Sequence, residues 1–179
     1  KNWLKATEID PNYALAFSNM GSVQHEIGEF DAAIESYEHA LKINPESAGT
    51  NFNLSLVYLH KENFRAGWDK YEGRWETNSF NSVALVTTRP RWSYSNEARV
   101  LLWAEQGIGD EIMFASIIPD LYVLCIKLIV TIDERLIPLF RRSFPEDIDF
   151  RPSHEPVSEA EYDAHIPMGS LPLHFRQST

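Results

Sequence analysis

Hydrophobic positions follow one rhythm in the first part of the chain and another in the second. Up to Glu76 apolar residues return every three or four positions, ending in the stripe Trp68, Tyr71 and Trp75, which is the spacing of one helix face. From Arg99 onward they come as short runs rich in strand formers: Arg99 to Ala104, Lys127 to Ile132, Asp147 to Phe150 and Tyr162 to Ile166. Between these runs the pattern turns helical again. Glu111 to Leu124 reads as a helix interrupted near Pro119, and Asp133 is placed to cap another that continues through Arg142. Strands alternating with helices predict a parallel sheet. The two rhythms are separated by the polar stop Thr77-Asn78-Ser79 and Asn81-Ser82, and by an extended connector, Arg89-Pro90-Arg91-Trp92 followed by Ser93 to Asn96. The expected organisation is a helical part over 1–80, a linker over 81–97 and a β/α part over 98–179.

The helical part repeats. Pro11-Asn12-Tyr13-Ala14 returns as Pro45-Glu46-Ser47-Ala48, 34 residues later. Shifting by one period lays Met20 on Leu54, Phe30 on Phe64, Ala33 on Gly67 and Tyr37 on Tyr71. Small residues at Gly21, Ala33 and Ala40 let two antiparallel helices approach, and Phe17, Tyr37 and Leu41 fill the space between turns. Gly28-Glu29-Phe30 supplies the turn, Asp31 is expected to cap the second helix, and Asn44-Pro45 ends it. This pattern resembles the tetratricopeptide repeat. Residues 14–47 match it well. Residues 48–77 match less well, with Arg74 in place of a small residue, and residues 1–11 fit the tail of an earlier repeat through Ala6 and Pro11. The resemblance implies a groove that binds a protein or peptide partner, with Asn19, Asn51 and Asn53 as the candidate lining. Equally open is a purely scaffolding role for so few repeats.

In the β/α part, Glu105-Gln106-Gly107-Ile108-Gly109-Asp110 follows the first strand, at the carboxyl edge where parallel sheets bind ligands. Two glycines allow close backbone approach, and a helix N-terminus favours anions. The full G-x-G-x-x-G is absent, since Ile112 stands where the third glycine would fall, and there is no P-loop lysine. A tight turn in which Asp110 caps its own helix is the alternative.

The stretch Leu101 to Phe114, most specifically Glu105 to Phe114 followed by Pro119, resembles a signature of bacterial tetratricopeptide-repeat proteins. In those proteins the repeats precede a glycosyltransferase domain similar to lipopolysaccharide heptosyltransferases. The implied fold class is α plus α/β: a short helical-hairpin array followed by a partial Rossmann-like parallel β/α domain. The resemblance implies Asp110 as the catalytic base, with Glu105 and Gln106 orienting an acceptor. Gly107 and Gly109 would hold the acceptor or a leaving phosphate. Glu111, next along, reads as a solvated or dipole-compensating residue. The implied architecture has two Rossmann-like halves, with a nucleotide-sugar donor bound mainly by the second. The chain is therefore expected to be part of a longer protein, with no cofactor of its own and no turnover alone. The competing expectation is a non-catalytic interaction module.

Composition narrows the partners. Sixteen basic residues against twenty-six acidic give a net charge of -10, which disfavours nucleic acid. The excess is even: residues 1–80 carry 7 basic and 12 acidic side chains, and residues 81–179 carry 9 and 14. A lone cysteine, Cys125, forms no internal disulfide and reads as a buried thiol, which fits a cytoplasmic setting. The longest apolar run, Leu121 to Ile132, is too short to span a bilayer. The six histidines do not fall at metal-ligand spacing.

Overall fold

The computed structural model describes residues 9–78, 80–94 and 98–178. The expected tail of an earlier repeat through Ala6, and Ser79, Ser95 and Asn96 of the polar punctuation, lie outside the described residues. The chain divides into two compact units, Lys1–Phe80 with Arg176–Thr179 and Asn81–Phe175.

The first unit realises the helical periodicity as two hairpins. Helices α1 (Ala14–Glu26) and α2 (Phe30–Ile43) form one, and α3 (Ala48–His60) and α4 (Phe64–Tyr71) the other. Gly28 makes the first turn in the left-handed region, with φ of 82°. The small residues act as the sequence requires. A Cβ on Gly21 would lie 2.9 Å from the Tyr37 ring, and one on Gly67 would lie 2.6 Å from Leu59 Cδ2. Ala33, Tyr37, Leu54 and Val57 make the shared core, with Phe30, Ile34, Leu41 and Tyr58 packed around them. Each large apolar side chain so buried is worth ~1.5–3 kcal/mol. A buried hydroxyl contact joins the hairpins, Thr50 Oγ1 to Ser18 Oγ at 3.0 Å.

Two local expectations in this unit are corrected. Helix α2 begins after Glu29 with no side-chain cap, and Asp31 sits inside its first turn, ion-paired with Lys61. There its charge complements the helix dipole rather than closing the end. Arg74 fits because the chain leaves α geometry after Tyr71 for a 3-10 turn, Glu72–Glu76. Its side chain is wholly buried, bonded to Glu72 Oε1 at 2.8 Å, with the guanidinium 4.8 Å from the Tyr71 ring centre and 5.0 Å from that of Trp75. Stacking and pairing together replace the water that a buried guanidinium loses.

The second unit is a sheet with helices. Its strands are β1 (Ala98–Trp103), β2 (Cys125–Ile132), β3 (Asp149–Pro152) and β4 (Ala164–Pro167). Among the described residues they pair in the order β3-β2-β1-β4, all parallel, as the alternating pattern predicts. The central strands bury Val100, Leu101 and Leu102 against Leu128, Ile129 and Val130. Strand bounds differ slightly from expectation, for local reasons. Asp147 accepts from the Tyr122 hydroxyl, and Ile148 closes a turn on Pro145, so β3 starts at Asp149. Ile126 is looped out of register opposite Ala98 and Arg99, so β2 starts earlier, at Cys125. The expected long helix is two, α5 (Ile108–Ala115) and α6 (Ile118–Tyr122), with Pro119 in the first turn of the second, where its missing N–H costs nothing. Asp133 does act as a cap: it accepts from Arg135 N at the head of a 3-10 turn, Glu134–Leu136, that leads into α7 (Ile137–Ser143). After β4 a 3-10 turn, Met168–Ser170, runs into α8 (Leu171–Phe175).

The connector is more structured than its composition suggests. Arg91 forms a parallel bridge with His165, closed by Trp92 N–H to His165 O at 2.8 Å and His165 N–H to Pro90 O at 3.1 Å. Trp92 is 3% exposed and stacks on Phe175, with His174 edge-on to it. Cys125 is half-buried, its thiol donating to Leu121 O, and burial pushes its pKa up to about 12.

Candidate functional site at the carboxyl edge of the sheet

Strand β1 ends at Trp103, and Ala104 N–H continues the ladder to Thr131 O at 2.9 Å. The chain then turns sharply. The residue that enters the left-handed region is Gln106, with φ of 68°, while Gly107 has φ of -104°. The glycines are therefore not what makes the turn. A Cβ on Gly109 would meet nothing within 4 Å, and one on Gly107 would meet only Asp110 Oδ2, at 3.7 Å. The protein's own packing leaves open space at both.

Asp110 occupies the third position of α5 and closes the turn reciprocally. Its Oδ2 accepts from Gly107 N–H at 3.2 Å, and its own N–H donates to Gly107 O at 3.0 Å. Its Oδ1 has no hydrogen-bond partner among the described residues. Gln106 N–H donates to Ser82 Oγ at 2.7 Å. Glu105 is turned inward and only 3% exposed. A Cβ on Gly169 would collide with its Oε1, and would stand 3.2 Å from Gln106 Nε2. The absence of a side chain at Gly169 thus makes room for both. Glu111 is not solvated: it is 5% exposed, and its Oε2 accepts from Asp133 N–H at 2.8 Å. It ties the first helical turn to the end of β2, and desolvation raises its pKa despite that bond.

Next to this turn a cleft of 240 Å³ opens at the carboxyl ends of β1, β2 and β3. Ala104 lies at its margin, with Leu101, Trp103 and Thr131 from the strands and Ser153, His154 and Glu155 from the loop after β3. Val83 and Leu85 of the former linker close another side. None of the loop or linker residues carries a signal in the sequence. The rule that ligands gather at the carboxyl edge pointed to this end of the sheet, and only folding shows which loops reach it.

The asparagines of the repeat unit separate into two kinds. Asn19 and Asn53 hold equivalent positions on α1 and α3, one period apart, and neither side chain is hydrogen-bonded among the described residues. Asn51 is engaged: its amide donates to Pro45 O and Ser47 O, and its carbonyl accepts from Lys70 Nζ at 3.0 Å. Nearby, His25 and His60 approach to 3.3 Å, and burial, then the charge of His60, lowers the pKa of His25. Among the described residues no group of three His, Cys, Asp or Glu side chains is placed to hold a metal ion, and no helix is long and apolar enough to cross a membrane.

Helical hairpins with close-approach glycines, followed by a parallel β/α unit, define an α plus α/β protein built on repeats. Residues 14–47 match the tetratricopeptide repeat family. Over 150 residues, 79% of the chain, the sequence is 29% identical to Protein FlbA of Caulobacter vibrioides. The chain spans only 25% of that protein's length. A solved structure of YrrB, described as a tetratricopeptide-repeat protein with an unusual peptide-binding site, aligns with 41% of this chain and 38% of its own, at 23% identity and a TM-score of 0.40.

Proposed function

We propose that the repeat unit binds a protein or peptide through the face that carries Asn19 and Asn53. The observation that supports this reading is their recurrence one period apart with both amides uncommitted. An extended backbone offers donors and acceptors at a regular spacing, and a side-chain amide both donates and accepts. Peptides selected from a random library against the protein test it. Asn19→Ala with Asn53→Ala is expected to weaken the selected peptides at least tenfold, while Asn51→Ala changes affinity less. Equal affinity for the double variant and wild type would remove the groove from the account.

A second reading is favoured by the free Oδ1 of Asp110 beside open space at Gly109. In it the β/α unit is the acceptor half of a glycosyltransferase, and the longer protein takes a sugar from a nucleotide-sugar donor. Asp110 accepts the proton of the acceptor hydroxyl as that oxygen bonds to the sugar, and the nucleotide leaves with the electron pair of the broken bond. General-base help of this kind is worth roughly 10²–10⁴-fold. The Gly107 N–H keeps the carboxylate aimed, and Gly109 leaves space for the acceptor. Glu105, Gln106 and Gly169 fix the shape of the turn. Asp110→Asn keeps an acceptor for Gly107 N–H but not the base. In the full-length protein it is expected to lower transfer at least a hundredfold with little change in melting temperature. Unchanged transfer would rule out the base.

A further inference from the structure

Two histidines on successive hairpins face each other. His25 lies in the last turn of α1, and His60 is the last residue of α3. His25 Nε2 and His60 Nδ1 stand 3.3 Å apart, with the ring centres 5.4 Å apart. Repetition alone does not produce this pair. One 34-residue period on from His25 falls on Leu59, and one period back from His60 falls on Glu26. The meeting is therefore particular to this junction. Phe30, at the start of α2, braces both rings: it stacks on His60 at 4.9 Å and meets His25 at 5.8 Å. Side chains held in this way lose little further freedom when they take a ligand.

The setting suits a cation. Zinc bonds imidazole nitrogen at about 2.0–2.1 Å with tetrahedral angles, which holds two ligand nitrogens about 3.3 Å apart and their ring centres about 5.2 Å apart. The observed separations match both closely. Each histidine stands at a helix C-terminus, where the backbone carbonyls carry partial negative charge. Glu26, beside His25, adds a full one that acts on its ring. Lys61, which follows His60, is neutralised by its ion pair with Asp31. His60 is exposed, so water can reach the pair.

We propose that His25 and His60 form a binding site for a divalent first-row transition metal ion, zinc by preference, which clips α1 to α3. The histidines supply two ligands and water the rest, so the ion is exchangeable, unlike one enclosed by four protein ligands. Imidazole selects such ions over magnesium and calcium, which take oxygen. Without metal, one ring donates a hydrogen bond to the other. The Thr50–Ser18 contact already joins α3 to α1 in their N-terminal halves, and the ion ties the opposite ends. Asn19 and Asn53 lie on the same two helices, so the clip bears on their separation. The inference stands on the histidines and needs no bound peptide.

Zinc chloride titrated into the whole chain and followed by calorimetry is expected to bind in the micromolar range, and magnesium chloride is not. His60→Gln keeps a hydrogen-bonding group at an exposed position but removes the ring nitrogen, and should weaken zinc at least tenfold. His25→Ala should do the same. His39→Ala removes a histidine of the same unit that packs on Phe17, outside the pair, and should leave zinc binding unchanged. Zinc should also slow amide hydrogen exchange at least threefold over the last turns of α1 and α3 in wild type, and not in His60→Gln. Wild type that takes no zinc below the millimolar range overturns the site, as does equal binding by wild type and His60→Gln. Zinc that binds without protecting the two helix ends overturns the clip.

Discussion

The two units are held together by opposite kinds of economy. The repeat unit packs by the absence of side chains: Gly21 and Gly67 let Tyr37 and Leu59 come within van der Waals reach of a neighbouring backbone. The β/α unit packs by their presence, with continuous apolar runs on β1 and β2 buried on the sheet. The first mode depends on local spacing, so a 34-residue period carries nearly all of it. The second depends on which distant segments meet at a sheet edge, and so its functional geometry is spread over the chain.

This contrast can be broken at graded cost. Truncating a core residue should hurt most and equally in either unit: Tyr37→Ala and Leu102→Ala are each expected to lose ~3–5 kcal/mol by chemical denaturation. Adding atoms should then separate three glycines. Gly21→Ala and Gly169→Ala force a methyl against the Tyr37 ring and against Glu105, costing ~1–3 kcal/mol. Gly109→Ala, inside α5 and facing open space, should instead gain ~0.4–1 kcal/mol. A loss at Gly109 would mean that its surroundings are not open.

Glu111 sharpens the comparison through pH. Desolvation raises its pKa, so the unfolded chain releases that proton first as pH rises. Stability present below the ordinary carboxylate pKa is then lost as pH climbs through the raised value. Glu111→Gln keeps a carbonyl for Asp133 N–H and removes the charge. Its melting temperature should exceed wild type at pH 8 and match it at pH 4, and the reverse order would refute the burial argument. The smallest effect belongs to the repeat surface, where Lys61→Ala should stay within about 0.5 kcal/mol of wild type.

The sequence rhythm made the helical hairpins, the parallel sheet and the turn at Gly107 to Asp110 legible. Periodicity is a one-dimensional signal, and both helix faces and strands obey it. Three things were not legible. Glu111 carries a charge, so its sequence position alone suggested solvent, yet the backbone N–H of Asp133 draws it inside. Gln106, not a glycine, takes the left-handed conformation. The cleft needs residues 83–85 and 153–157 to converge on one strand end, and no local pattern encodes a meeting across 70 residues.

The pairing of Arg91 with His165 has a bearing on how the chain behaves in crowded solution. A sheet that stops at an uncovered strand invites a second molecule to add to it. Here the outer side of β4 is already occupied by the chain's own backbone at Pro90 to Trp92. The other edge strand, β3, is guarded differently, by the ion pairs that its Arg151 makes with Asp149 and Glu161. A version of the β/α unit begun at Ala98 would lose the first of these guards and should self-associate, while one begun at Asn81 should stay monodisperse. The connector is then part of the unit's solubility and belongs with it in any dissection.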